Sequence, residues 1–300
     1  MSLPEKVTLV EVGPRDGLQN EKGEIPLAAR MQLLDDLADA GLKVIEAGSF
    51  VSPKAVPQMA DSDKVFDALQ RRPGVRYTAL TPNLRGLERA LACGADEVAI
   101  FAATSDTFSQ RNINCSIDES LARFGAVATA ALDAGVPVRG YVSCVLGCPY
   151  DGSISPEAVY EVTARMLDLG CYEISLGDTI GTGTAGGMQR LLARLLSDFP
   201  AAKLAVHCHD TYGQALSNIL VALQHGIATI DASVAGLGGC PYAPGASGNV
   251  ATEDVVYMLD DMGIASGVNL DKLITAGERI SRVLGRETAS SVARARLACA

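Results

Sequence analysis

Two of the three histidines in this 300-residue chain stand one residue apart, in the segment Ala205–Asp210, AVHCHD. On a strand, alternate residues point to the same face, so His207 and His209 share one. Two neutral imidazoles on one face begin a divalent metal site. The competing reading is a pair of histidines each satisfied by hydrogen bonds, and the spacing alone does not choose between them. Asp16, in EVGPRDGLQNE, supplies a hard anionic oxygen, and Asn249, in SGNVATED, a neutral carbonyl oxygen. Two nitrogens and two oxygens, with positions left open to water or substrate, suit Mg²⁺ or Mn²⁺ better than structural Zn²⁺. Co²⁺ and catalytic Zn²⁺ remain compatible with the set.

These residues need a scaffold, and the pattern around them supplies one. Short β-branched runs alternate with amphipathic stretches along the whole chain: TLVEVG, KVIEAGSF, RYTAL, EVAIFA, VRGYVSCV, YEISLGD, LAVHCHD and TIDASVAGL, each followed by a helical segment. The helices are expected over 28–40, 62–70, 84–93, 117–134, 156–169, 185–197, 214–225 and 252–262, with glycine stop signals such as DAGLK and DLGCY. Eight βα units in a chain of this length predict a parallel sheet closed into a (β/α)₈ TIM barrel. The expectation is one catalytic domain over 1–300, with the barrel at about 7–265 and an extra C-terminal helix at about 269–285. An open doubly wound sheet would call for a glycine-rich phosphate turn after the first strand, and GPRDGLQ is not that fingerprint. In a barrel, chemistry sits at the C-terminal strand ends. The polar clusters EVGPRDGLQNE, IEAGSF, SLGDT, HCHD and GLGGCPYAPGASGNVATED all fall there.

Composition narrows the partners. The formal net charge of −10 leaves no basic excess to neutralise nucleic-acid phosphates, while local cations still permit an anionic small molecule. No apolar run is long enough to span a bilayer, so no membrane partner is expected. The N-terminus MSLPEKVTLVEVG lacks the features of a secretion signal, and the eight scattered cysteines then read as reduced thiols of a bacterial-type cytoplasmic protein. Cys144 and Cys148 lack the second close pair that a thiolate metal site needs, so they read as small core residues.

In order along the chain, VEVGPRDGLQNE, VIEAGSFVSPKAVPQM, SLGDTIG, VHCHDTYGQALSN and GLGGCPYAPGASGNVATED resemble the hydroxymethylglutaryl-CoA lyase family, from Thr8 to about Leu284. The RDG and HxHD segments are shared with a wider superfamily of Claisen-type cleaving and condensing barrels, whereas the cysteine loop is the lyase's own signature. The resemblance implies retro-Claisen cleavage of 3-hydroxy-3-methylglutaryl-CoA to acetyl-CoA and acetoacetate, in leucine catabolism and ketone-body formation. It implies an acyl-CoA substrate, a homodimer, and Mg²⁺ or Mn²⁺ held by Asp16, His207, His209 and Asn249. Arg15 would hold the thioester oxygen where negative charge develops; a structural ion pair with Glu46 is the plainer alternative. Cys240 would protonate the departing enolate carbon.

Removal of the hydroxyl proton is open among His207, Asp178 and Glu46. Glu46 and Asp178 also fit as supports of Arg15 or a ligand. Gln19 and Ser49 are read as polar lining, and Lys22 and Lys54 as partners of the CoA phosphates or as solvated surface charge. Asp210 is read as structural, capping the next helix. Glu253 either orients Asn249 or caps the last barrel helix, and His225 is a helix-end site. Cys299 is a free tail thiol or an intersubunit disulfide. The rivals are a lyase for a related 3-hydroxyacyl-CoA, a sibling condensing enzyme or aldolase, and a barrel that binds acyl-CoA without turnover.

Overall fold

The computed structural model describes residues 3–21, 23–239 and 248–299. Eight strands, β1 (Thr8–Glu11), β2 (Val44–Ser49), β3 (Arg76–Leu80), β4 (Glu97–Ala103), β5 (Val138–Ser143), β6 (Ile174–Asp178), β7 (Leu204–Cys208) and β8 (Thr229–Ala232), follow one another in sequence order. They pair in parallel and close into a barrel. Closure is made by β8 on β1, with Thr8 opposite Thr229 and Glu11 opposite Ala232. The predicted (β/α)₈ barrel is therefore the observed fold. Parallel strands covered by helices on one side and filled with side chains on the other have no wet face. That is why β2, β6 and β7 are buried at every position.

Eleven α-helices lie among the described residues: α1 (Leu27–Ala40), α2 (Ser62–Ala68), α3 (Leu84–Ala92), α4 (Asp106–Ile113), α5 (Ile117–Asp133), α6 (Pro156–Asp168), α7 (Ala185–Leu195), α8 (Ala215–Gln224), α9 (Thr252–Asp261), α10 (Leu270–Leu284) and α11 (Ser291–Leu297). Their starts are chemically explicit. Ser116 and Glu119 form a reciprocal capping box at α5, and Asn83 accepts from the Gly86 amide at α3. The end of α1 shows why its stop signal is glycine: Gly41 has φ +110°, and a Cβ there would meet the Gly267 carbonyl at 2.3 Å.

Two helices lie outside the expected set. α4 (DTFSQRNI) is short and polar, buries only Phe108 and Ser109, and starts because Ser105 accepts from the Phe108 amide. α11 is likewise a single short segment, held by Ser290 at its start. The expected C-terminal helix is α10, which packs Leu273, Ile274 and Ile280 inward. The chain after it returns to the barrel mouth, where the Ala289 amide donates to the Ala235 carbonyl at 2.9 Å. None of the described helices is long and apolar enough to cross a membrane.

Candidate active site and metal centre

After β1 the chain makes a single wide turn, Gly13–Gly17, with Pro14 in its first positions. This turn carries Arg15 and Asp16 over the barrel mouth. The Arg15 Nε donates to Glu46 Oε2 at 2.6 Å, and its Nη1 to Asp16 Oδ1 at 2.6 Å. Tyr141, from β5, donates through its hydroxyl to Glu46 Oε1 at 3.3 Å, and its ring lies 5.7 Å from the Arg15 guanidinium. Arg15 is 6% exposed and Glu46 fully buried. The two carboxylates outweigh burial and keep Arg15 charged. Burial works against ionisation of Asp16, but Arg15, His207 and His209 together bring its carboxyl down to about 2.

β7 delivers the histidine pair. His207 sits in the strand and His209 one residue beyond its end, with ring centroids 5.2 Å apart. An isolated bridge between His209 and Asn249 carries Asn249 to the same place. The Asn249 amide nitrogen donates to Asp16 Oδ2 at 2.9 Å and to the Leu237 carbonyl at 3.2 Å. One ligand atom each from Asp16, His207 and His209 all lie within 4.8 Å of one another.

This set fits a divalent cation. Burial, then the neighbouring His207 charge, push His209 down to about 4, so that ring is neutral and free to donate a lone pair. The Nδ1 atoms of both histidines are buried without a hydrogen bond, which is uncommon for ring nitrogens inside a protein. His207 Nδ1 faces Asp231 Oδ2 at 3.4 Å, long for a hydrogen bond but close enough to hold the ring by charge. Burial opposes protonation of His207, yet Asp231 and Asp16 raise its pKa.

Beneath the histidines lies a layer that motif reading passed over. Arg139, on β5, donates to both oxygens of Asp231 on β8, at 2.8 and 3.2 Å, and to Glu173 at 2.8 Å. The Ser175 hydroxyl donates to Asp231 Oδ2 at 2.6 Å. The available signal was a charge inside an apolar strand, the arginine of VRGYVS and the aspartate of TIDASV. A buried charge needs a partner, and this pair supplies one.

Not every residue singled out in the sequence faces the cleft. A cavity of about 840 Å³ opens at the C-terminal end of the barrel and is lined by Arg15, Asp16, Gln19, Tyr141, His207 and His209, among others. Gln19 also donates to Asp16 Oδ1 at 3.2 Å. Ser49 is instead buried beside β3, its amide bonded to Ser62 and its hydroxyl to the Leu80 carbonyl. Asp178 turns away to the loop after β6, where its Oδ2 accepts from the Gly183 amide at 3.0 Å. Burial raises its carboxyl to about 6. Glu253 makes no hydrogen bond to Asn249: both its oxygens accept from the Ala235 amide at 2.9 Å, and its carboxyl also takes its own backbone amide in the first turn of α9. Asp210 accepts from the Ala215 amide at the start of α8, and His225 Nδ1 lies 2.9 Å from the Val221 carbonyl at its end. Cys144 and Cys148 pack with Ala103 and Phe108 in a small apolar cluster. Cys240 and Lys22 lie outside the described residues.

Residues 6–280 match the family model described as HMGL-like. The chain belongs to the HMGL-like family. Its relatives include the mitochondrial hydroxymethylglutaryl-CoA lyase of Bos taurus, 60% identical over 294 residues, which span 98% of this chain and 90% of the bovine protein. Among solved structures, hydroxymethylglutaryl-CoA lyase from Pseudomonas aeruginosa superposes with a TM-score of 0.98 at 59% identity, covering 100% of both chains. An HMG-CoA lyase from Acinetobacter baumannii, in complex with coenzyme A and 3-methylmalate, superposes with a TM-score of 0.93 at 36% identity, covering 98% of this chain and 96% of that one. Asp16, His207 and His209 meet at the barrel mouth, the end where barrels of this architecture carry their chemistry.

Proposed function

We propose that the protein is a hydroxymethylglutaryl-CoA lyase, cleaving 3-hydroxy-3-methylglutaryl-CoA to acetyl-CoA and acetoacetate. One observation carries this reading: the ligand atoms of Asp16, His207 and His209 cluster beside the buried Arg15 guanidinium, in a single cleft at the catalytic end of the barrel. The 60% identity to the bovine lyase over 98% of the chain supports the substrate assignment. So does the coenzyme A complex of the Acinetobacter lyase. A volume of about 840 Å³ is ample for the acyl end of such a substrate.

The reaction sets three requirements. The tertiary hydroxyl loses its proton, the adjacent C–C bond breaks with its electron pair passing to the thioester, and the resulting enolate carbon takes up a proton. Asp16, His207, His209 and Asn249 would hold a divalent cation, Mg²⁺ or Mn²⁺, which when bound would lower the hydroxyl pKa and orient the hydroxyl. Arg15 directs its fixed donors at the thioester oxygen, where charge accumulates as the bond breaks. Glu46 and Tyr141 hold the guanidinium from behind, so it does not have to reorganise during the step. His207 is assigned the relay of the hydroxyl proton, with Asp231 Oδ2 lying 3.4 Å from its Nδ1. Cys240 is assigned the return of a proton to the enolate carbon. Asp178 is assigned an indirect part, through the Gly181–Gly183 loop that it anchors. The family likeness is also the ground for assigning a homodimer, which light scattering on the purified protein tests.

The decisive test is acetoacetate release from hydroxymethylglutaryl-CoA by chelator-stripped protein, with and without added Mg²⁺ or Mn²⁺. Metal-dependent release is expected. Metal binding with no release from this substrate would move the assignment to a related 3-hydroxyacyl-CoA or to a condensing enzyme of the same barrel.

A further inference from the structure

Glu11 is a carboxylate at the end of β1 with no exposed surface and, among the described residues, no cation paired with it. Three donors from three separate parts of the chain meet on it. Its Oε1 accepts from the Gly13 amide at 2.8 Å and from the Val234 amide at 2.9 Å, and its Oε2 accepts from the Thr252 hydroxyl at 2.7 Å. Gly13 opens the turn that carries Asp16. Val234 opens the short turn Val234–Gly236, whose next residue, Leu237, accepts from the Asn249 amide through its carbonyl. Thr252 begins α9, three residues after Asn249. The two arms then meet again at the site, where the Asn249 amide reaches Asp16 Oδ2 at 2.9 Å.

The geometry is a closed circuit: Glu11 to Gly13 to Asp16 to Asn249 to Leu237 to Val234 and back. The approach at Glu11 is so tight that a Cβ on Gly13 would lie 2.6 Å from its Oε1. We infer that Glu11 is a positioning residue of the metal centre, tying the arm that bears Asp16 to the arm that bears Asn249 and so fixing the spacing of two ligands. This rests on the metal-dependent lyase reading. A buried acceptor with three donors is a rigid clip, because losing it strands backbone N–H groups that water cannot reach. Burial holds the Glu11 carboxyl up at about 7, which makes a neutral amide a fair replacement for it. In Glu11→Gln the amide oxygen keeps the Gly13 and Val234 bonds, and the amide nitrogen donates to the rotated Thr252 hydroxyl.

Mn²⁺ titration of the chelator-stripped full-length protein, followed by electron paramagnetic resonance of free Mn²⁺, tests the clip without using substrate. Glu11→Ala is expected to weaken Mn²⁺ binding about 10- to 100-fold, the range found when groups supporting metal ligands are removed. At saturating Mn²⁺, kcat should fall about tenfold or more with KM within about threefold, as for a site whose geometry is displaced by a fraction of an ångström. Glu11→Gln should restore both to within about threefold of wild type. If Glu11→Ala does not fold, Thr252→Val decides, with an expected loss in Mn²⁺ affinity of about three- to tenfold. Wild-type affinity in a folded Glu11→Ala or Thr252→Val protein overturns the inference, leaving Glu11 a structural strut. So does a Glu11→Gln protein as weak as Glu11→Ala, or a wild-type protein that binds no Mn²⁺. A wild-type protein that binds Mn²⁺ but does not cleave hydroxymethylglutaryl-CoA would remove the lyase reading and leave this test intact.

Discussion

At the scale of single residues, the site is a set of charges that only make sense together. Arg15 is shared between Glu46, which is fully buried, and Asp16, which faces the cleft. Removing the arginine alone strands a buried carboxylate, at a cost of about 3–5 kcal/mol for a broken buried pair. Arg15→Met should therefore lose stability as well as activity. Arg15→Met combined with Glu46→Gln should recover most of the stability and none of the turnover, with kcat down about 10²- to 10³-fold, as for loss of a donor to a developing oxyanion. Urea melts and steady-state rates on the two variants separate the roles; recovery of turnover by the double variant would assign Arg15 to structure alone. Asp231 raises a second residue-scale expectation. Its carboxylate faces His207 Nδ1 while Arg139 and Ser175 pin it from below. Asp231→Asn keeps the shape and removes the charge, so Mn²⁺ affinity should drop about 10-fold or more. Isothermal titration checks this, and unchanged affinity would leave His207 oriented by packing alone.

At the scale of elements, the strands and most helices were legible because their signals are local. Val- and Ile-rich runs, capping residues and glycine stops each act within one turn of chain. α4 and α11 were not legible, because a one- or two-turn polar helix has no apolar period and is held by tertiary bonds such as Ser290 Oγ to Asp254. The proposed metal ligands stood out through residue type and position at strand ends. The Glu11 and Glu253 contacts did not, since Glu11 meets the Val234 amide and the Thr252 hydroxyl, 223 and 241 residues away, and Glu253 the Ala235 amide 18 residues back. The same distinction separates two glycines. Gly17 faces the barrel-mouth arm, where a Cβ would lie 2.7 Å from Leu237 Cβ, whereas Gly41 ends α1 at φ +110° against the Gly267 carbonyl. Both Gly→Ala changes should cost about 1–3 kcal/mol by overpacking or backbone strain. Only Gly17→Ala should also weaken Mn²⁺ binding, because it wedges apart the arms that hold Asp16 and Asn249. Thermal melts paired with Mn²⁺ titrations check this, and equal affinities in the two variants would mean that the arms flex without consequence.

At the scale of the whole molecule, pH acts on this fold from two directions. Asp16 and Asp231 have carboxyls held below their ordinary range. Each adds stability that is present above the unfolded-state pKa and lost as pH falls through the folded one. Glu11 and Glu253 do the reverse. Burial lifts them from 4.5 to about 7 and about 8. The folded state then keeps a proton that the unfolded state has released, so their contribution is complete below 4.5 and is lost as pH rises toward 7 and 8. Among the described residues Glu253 has no cation against it; the Ala235 amide and its own backbone amide donate to it, and Glu11 and Asp254 are the nearby charges. Glu253→Gln keeps an acceptor for that amide and removes the ionisation. In chelator-stripped protein, the melting temperature of Glu253→Gln should match wild type near pH 5 and exceed it by several degrees near pH 8. The upper bound is set by about 1.4 kcal/mol per unit of pKa displacement. Scanning both proteins across that range reads the sign directly. A gap that is constant with pH would mean that Glu253 is ionised in the fold throughout, and that the Ala235 turn is held by a charge rather than by a neutral acid.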